Sequence, residues 1–189
     1  MKRIGIFALQ GDFHKHSLAV ESLGFEAVHV KDAKNLAKCD KLIIPGGEST
    51  TFMNLINRLE LYDVLVEYGK SHPVMGTCAG LIILANHVDS IPFKTLGLID
   101  IHVERNAYGR QINSFIDTVR LTLGEETIDF EGVFIRAPKI TVPGNGVKKL
   151  GFHNDDLVMA ASGNILVATF HPELTNDLRV HRYFIENFG

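Results

Sequence analysis

The chain has 189 residues, enough for one domain with a sizeable apolar core. Hydrophobic residues make up 46% and charged residues 22%, the balance of an ordinary globular protein, and no apolar run is long enough for a membrane span. A net charge of −3 and a pI near 6.3 argue against a dedicated nucleic-acid binder, and the two cysteines, Cys39 and Cys78, give neither a disulfide framework nor a Cys-x-x-Cys pair, so a reducing cytoplasm is the default setting.

Arg3 to Leu9 is short and almost wholly apolar, as expected of a first strand covered on both faces; this start is too soon polar for a signal peptide. After Gln10-Gly11, Asp12 is placed to cap a helix over Phe13 to Leu23 that Gly24 stops. Glu26 to Val30 reads as a second strand, a short helical stretch follows, and Lys41 to Ile44 is a third strand ending in Pro45-Gly46-Gly47-Glu48-Ser49. Thr50 to Tyr68 has helical spacing, Val74-Met75 leads into Gly76-Thr77-Cys78-Ala79-Gly80, and Ala79 to Ala85 is helical again. Such alternation implies a parallel sheet with right-handed crossovers.

The second half reads as strands over Leu98 to Val103, Thr118 to Leu123, Val133 to Ile135, Val147 to Gly151, Leu157 to Ala161 and Ile165 to Phe170. Asn154-Asp155 and Ser162-Gly163-Asn164 suit hairpin connections, and a closing helix runs from Asp177 to Phe188 with Leu178, His181, Tyr183, Phe184 and Phe188 available for packing. The expectation is an α/β fold: a mixed sheet with a parallel centre and antiparallel additions. No repeat, low-complexity tract or linker divides the chain, so residues 1–189 are expected to form one domain. In open α/β sheets ligands sit beyond the carboxyl ends of the strands, which would gather Gln10, Gly46-Gly47 and Cys78 at one edge.

Chemistry concentrates in three segments. Cys78 is central in a Gly-x-Cys-x-Gly turn, the pattern of a nucleophile elbow, which lifts the sulfur above a sheet and places it at a helix N-terminus that favours negative charge. A buried structural cysteine is the alternative. His171-Pro172-Glu173 follows the last strand, with proline fixing the backbone between an imidazole and a carboxylate; it suits a base held in one tautomer by an acid. A metal-binding His-x-Glu pair is less economical, because only Cys78 offers a third ligand and no ligand-spaced cluster exists; neither a metal nor a cofactor is expected. The glycines of Pro45-Gly46-Gly47-Glu48-Ser49 allow backbone N–H groups to approach a developing oxyanion, with the Ala79 N–H as a second donor. The phosphate-loop pattern is absent there, and a plain strand-to-helix turn is the other reading.

Gly-Thr-Cys-Ala-Gly with a late His-Pro-Glu resembles the class I, triad-type glutamine amidotransferases. Leu9-Gln10-Gly11, Pro45 to Thr51, Val103-Glu104-Arg105-Asn106, Phe134-Ile135-Arg136-Ala137-Pro138 and Phe170 to Thr175 are similar to the glutaminase subunits of pyridoxal 5′-phosphate synthase, over essentially the whole chain. The resemblance implies a three-layer, flavodoxin-like sheet, L-glutamine as substrate and a Cys78–His171–Glu173 catalytic triad. It further implies glutamine contacts at Gly47, Glu48, Ser49, Arg105, Ile135 and Arg136, with Gln10 supporting the oxyanion pocket. It also implies a separate synthase subunit as partner, since ammonia in neutral water is mostly protonated and the elements above leave no segment for an acceptor domain. Rival readings are a glutaminase serving another synthase, a related cysteine hydrolase or peptidase, and a non-catalytic subunit on the same scaffold.

Overall fold

In the computed structural model, which describes residues 2–105 and 114–189, the first half alternates strand and helix: β1 (Arg3–Phe7), α1 (Phe13–Ser22), β2 (Glu26–Val30), α2 (Ala33–Leu36), β3 (Lys41–Ile44), α3 (Ser49–Arg58), α4 (Tyr62–Ser71), β4 (Val74–Thr77) and α5 (Ala79–Leu84). The second half supplies β5 (Ala85–Val88), β6 (Ile99–Glu104), β7 (Ser114–Leu123), β8 (Glu126–Ile135), β9 (Lys139–Pro143), β10 (Lys148–His153), β11 (Asp156–Ser162), β12 (Ile165–Ala168), a 3-10 turn (Pro172–Leu174) and α6 (Arg179–Asn187). The main sheet has nine strands in the order β2-β1-β3-β4-β12-β11-β10-β7-β8. Its first five are parallel, and the remaining pairings are antiparallel. This is the flavodoxin-like parallel centre with antiparallel additions that the sequence predicts.

The apolar strand runs follow from burial on both faces. Ile4, Ile6, Ile43, Met75 and Leu166 point into one cluster, packed by Val20 of α1 and Val180, Phe184 and Ile185 of α6. The alternate residues Phe7, Leu42, Ile44, Val74 and Val167 point into the other, with Phe52, Met53 and Ile56 of α3, Leu65 of α4 and Leu81 of α5. A side-chain period of two thus delivers each strand to both layers. No helix is long and apolar enough to cross a membrane among the described residues.

Four sequence expectations change. The Thr50–Tyr68 helix is two helices, because Glu60 adopts φ 55° and the chain closes there by bonds from Glu60 N to Asn57 O (3.1 Å) and Leu61 N to Ile56 O (2.9 Å). That is a Schellman ending, here without the usual glycine, and it buries Leu61 and Ile56. Asp12 precedes α1 but makes no capping hydrogen bond, whereas Gly24 ends that helix as expected, at φ 82°. The Val133–Ile135 strand is only the end of the ten-residue β8, paired along its length with β7. Finally, β6 leaves the main sheet to form a three-stranded sheet, β5-β6-β9, whose Ile99, Ile101, Val103 and Ile140 join the α3–α5 core.

Candidate active site

The turn between β4 and α5 is tight enough to exclude side chains two residues to either side of the cysteine. A Cβ on Gly76 would meet the Gly80 backbone at 2.6 Å, and one on Gly80 would collide with the Ile44 carbonyl of β3. Cys78 itself sits at φ 48°, ψ −102°, a strained conformation for a residue with a side chain, pinned by its N–H on Ala168 O at 2.9 Å. The flanking glycines therefore let α5 lie against β3 and β4 while the sulfur turns outward. Gly80→Ala is expected to cost about 1–3 kcal/mol of stability through this overpacking. Denaturant unfolding checks it; an unchanged midpoint would mean that α5 can lift from β3 freely.

His171 lies just past β12, with its N–H on Val133 O at 2.8 Å. The 3-10 turn that Pro172 opens folds Glu173 back, so that His171 Nδ1 and Glu173 Oε1 are 2.7 Å apart, both residues buried. Burial pulls the imidazole down, but the neighbouring Cys78 sulfur and the Glu173 carboxylate outweigh it and push its pKa up to about 10. Burial likewise opposes ionisation of Glu173, and the His16 and His171 rings reverse this, holding the carboxyl well below its usual range. The Cys78 sulfur has one weak contact, to Ile135 O at 3.8 Å, and His171 Nε2 has no hydrogen-bond partner among the described residues. Nε2 is thus the nitrogen available to exchange a proton.

Cys78 and His171 line one cavity of about 280 Å³ with Gly46, Gly47, Glu48, Ser49, Arg105, Ile135 and Arg136. That is near the lower end for small-molecule sites, a size for an amino acid rather than a nucleotide. Gly46 packs against the imidazole so closely that a Cβ there would come within 3.2 Å of Nε2. Gly47 has φ 154°, and among the described residues no hydrogen bond engages its N–H. Arg136 also holds a positive φ, 43°, beside the cavity.

Gln10 and Ala79 are not among the lining residues. Gln10 stands behind the glycine loop, its Nε2 donating to the Glu48 carbonyl at 2.5 Å, and among the described residues no hydrogen bond engages the Ala79 N–H in the first turn of α5. Glu48 has a task the sequence did not suggest. Its carboxylate caps α3, accepting from Thr50 N at 3.0 Å and Thr51 N at 2.7 Å. Against a desolvation cost, these bonds hold its pKa down at about 2. The same carboxylate pairs with Arg105 at 3.6 Å. Asn106, the end of the Val103–Asn106 segment, lies outside the described residues. No group of three or more potential ligands suited to a metal occurs among the described residues.

Sequence reasoning missed His16. It lies on the buried face of α1 with no exposure, its Nε2 3.3 Å from Glu173 Oε2, and a lone histidine in an apolar helical pattern gives only a weak signal.

The model of the SNO glutamine amidotransferase family matches residues 6–189. The chain belongs to that family. Within it, the chain is 47% identical over 186 residues to "Pyridoxal 5'-phosphate synthase subunit PdxT" of Pelotomaculum thermopropionicum, covering 97% of this chain and 94% of that protein. It is 45% identical over 184 residues to the PdxT subunit of Thermosipho africanus, covering 97% of each. A solved structure titled "Crystal structure of glutamine amidotransferase" superposes with a TM-score of 0.90 at 42% identity, covering 97% of both chains. PurLQS from Thermotoga maritima, at 14% identity, a TM-score of 0.74 and 97% coverage of each chain, shares the fold alone.

Proposed function

We propose that this glutamine amidotransferase is the glutaminase subunit of a pyridoxal 5′-phosphate synthase, hydrolysing L-glutamine to L-glutamate and ammonia and passing the ammonia to a separate synthase subunit. The observation that carries it is the single cavity onto which a strained cysteine elbow and a buried His–Glu pair converge. Near full-length similarity to PdxT subunits supports the choice of synthase. Residues 1–189 act in this reading as one amidotransferase domain, in the cytoplasm.

In the reaction, the Cys78 thiolate attacks the side-chain amide carbon of glutamine. Negative charge gathers on the amide oxygen, toward which the N–H groups of Gly47 and Ala79 point in the reactive state, with Gly46 leaving room and Gln10 bracing the loop. His171 gives its Nε2 proton to the departing nitrogen, so that ammonia leaves and a glutamyl thioester remains. Water, losing a proton to the same nitrogen, attacks the thioester and restores the thiolate as glutamate forms. Glu173 holds His171 in the tautomer that presents Nε2. Arg105 and Arg136 take the substrate carboxylate, Glu48 steadies Arg105, and Gly47, Ser49 and Ile135 offer main-chain groups to the rest.

Coupling to the synthase works through the Gly46-Gly47 loop, where a peptide rotation costs little. Ammonia release from glutamine is expected to be weak for the chain alone and to rise at least tenfold when the synthase subunit is added. Equal turnover with and without it would sink the coupling, and stimulation by the synthase of another pathway instead would assign the chain to that pathway.

A further inference from the structure

Behind Glu173 the buried polar contacts do not stop. Glu173 Oε1 is held by His171, but Oε2 is buried without a well-directed hydrogen bond. The group facing it is His16 Nε2 at 3.3 Å, which is also 3.3 Å from Thr77 Oγ1, the hydroxyl next to the nucleophile. On its other side, His16 Nδ1 is 2.9 Å from His181 Nε2 of α6, and both rings are wholly buried. Thus α1, α6, the end of β4 and the 3-10 turn meet through one imidazole.

The chemistry of the neighbours fixes the protons. A carboxylate oxygen and a hydroxyl oxygen face His16 Nε2, and a lone pair there would oppose the carboxylate, so Nε2 carries hydrogen. His16 Nδ1 then accepts, and His181 Nε2 donates to it. His181 Nδ1 is left as a bare lone pair without a hydrogen-bond partner among the described residues, which costs less than an orphaned N–H. Burial above all pushes His181 down to about 3, so this ring stays neutral. All the N–H groups of the chain therefore aim one way, from His181 through His16 to Glu173.

We propose that His16 is a positioning residue for the glutaminase reaction: aimed by His181, its Nε2–H braces the second oxygen of Glu173 and the Thr77 hydroxyl, fixing the carboxylate that orients His171 and the residue that precedes Cys78. This rests on the glutaminase reading above. A buried carboxylate must be compensated on both oxygens. The titratable groups along this path are Cys78, His171, Glu173, His16 and His181. Removing the His16 donor leaves Oε2 bare and makes Glu173 easier to protonate. Activity that needs the ionised carboxylate is then lost at a higher pH as the solution is acidified.

The test uses the assembled complex with the synthase subunit and follows ammonia release against pH. His16→Phe is expected to lower kcat about 10- to 100-fold, the effect of removing the partner of a functional imidazole. KM for glutamine should stay within about twofold, and the acid limb should move up by about one pH unit, a tenfold change in proton affinity. His16→Gln, whose amide also donates from that position, should restore most of the rate and the parental limb. Parental kcat in the phenylalanine variant, or a loss that glutamine does not rescue and that leaves the limb in place, would overturn the proposal.

Nitrogen-15 histidine spectra of the parental chain, with His16 assigned by its loss in His16→Gln, test the tautomers independently of folding of the phenylalanine variant. An Nε2–H His16 is expected, and an Nδ1–H His16 would overturn the proposal. Absence of ammonia release by the parental complex would instead overturn the glutaminase reading, and is told apart because the spectra do not depend on turnover.

Discussion

Cys78→Ala is expected to lower ammonia release from glutamine by about 10⁵- to 10⁶-fold, the scale on which loss of a nucleophile acts, while sparing the fold and binding to the synthase. The separation follows from the contacts of the side chain. Among the described residues its sulfur makes one weak hydrogen bond, to Ile135 O at 3.8 Å, so truncation forfeits little hydrogen bonding. The strained φ of 48° is imposed by the Gly76 and Gly80 packing and by the N–H bond to Ala168, none of which involves the sulfur. Ammonia measured by a coupled assay, beside synthase binding in the same preparation, reads both quantities. Release above about one part in a thousand would mean that another group attacks the amide.

Glu173→Gln should be nearly as damaging, about 10³- to 10⁴-fold in kcat, because an amide can donate to Nδ1 and so favour the wrong tautomer of His171. The pH profile carries a second signature. Against the pull of burial, Cys78 and Glu173 raise the imidazole to about 10. Since the raised value means the proton is kept until the solution is strongly alkaline, the ring stays charged across the neutral range, as the proposed protonation of the leaving nitrogen requires. Without the carboxylate one raising cause is gone, the ring deprotonates at lower pH, and the alkaline limb of the residual activity moves down. A residual profile with its alkaline limb unmoved would show that Glu173 does not govern the ring. The same sign holds for stability. The contribution of this raised group is complete below about 6.5, the ordinary value, and is lost as pH rises through about 10.

Signals confined to a few neighbouring residues were legible without coordinates. The elbow glycines, the His-Pro-Glu turn and the strand alternation are local, since each depends on dihedral preferences and on a side-chain period of two. The break at Glu60 was not legible, because the left-handed position at this Schellman ending holds a glutamate where glycine is the usual mark. The departure of β6 into a second sheet was hidden too, because β9, its antiparallel partner, begins at Lys139, far along the chain. Glu48 lines the cavity, but its carboxylate's commitment to the N-terminus of α3 depends on backbone geometry that a residue name does not carry.

The order of residues by itself determined the chemical cast: a cysteine between glycines, an imidazole two positions before a carboxyl, and apolar strands that must be covered on both sides. Tertiary structure decided what surrounds that cast. Residues 16, 77, 173 and 181 meet only after four separate elements have packed, and a buried charge finds its compensation from whatever polar group that packing brings within reach. Such a contact is set by the sheet order and the helices laid across it, a property of the whole chain rather than of any stretch within it.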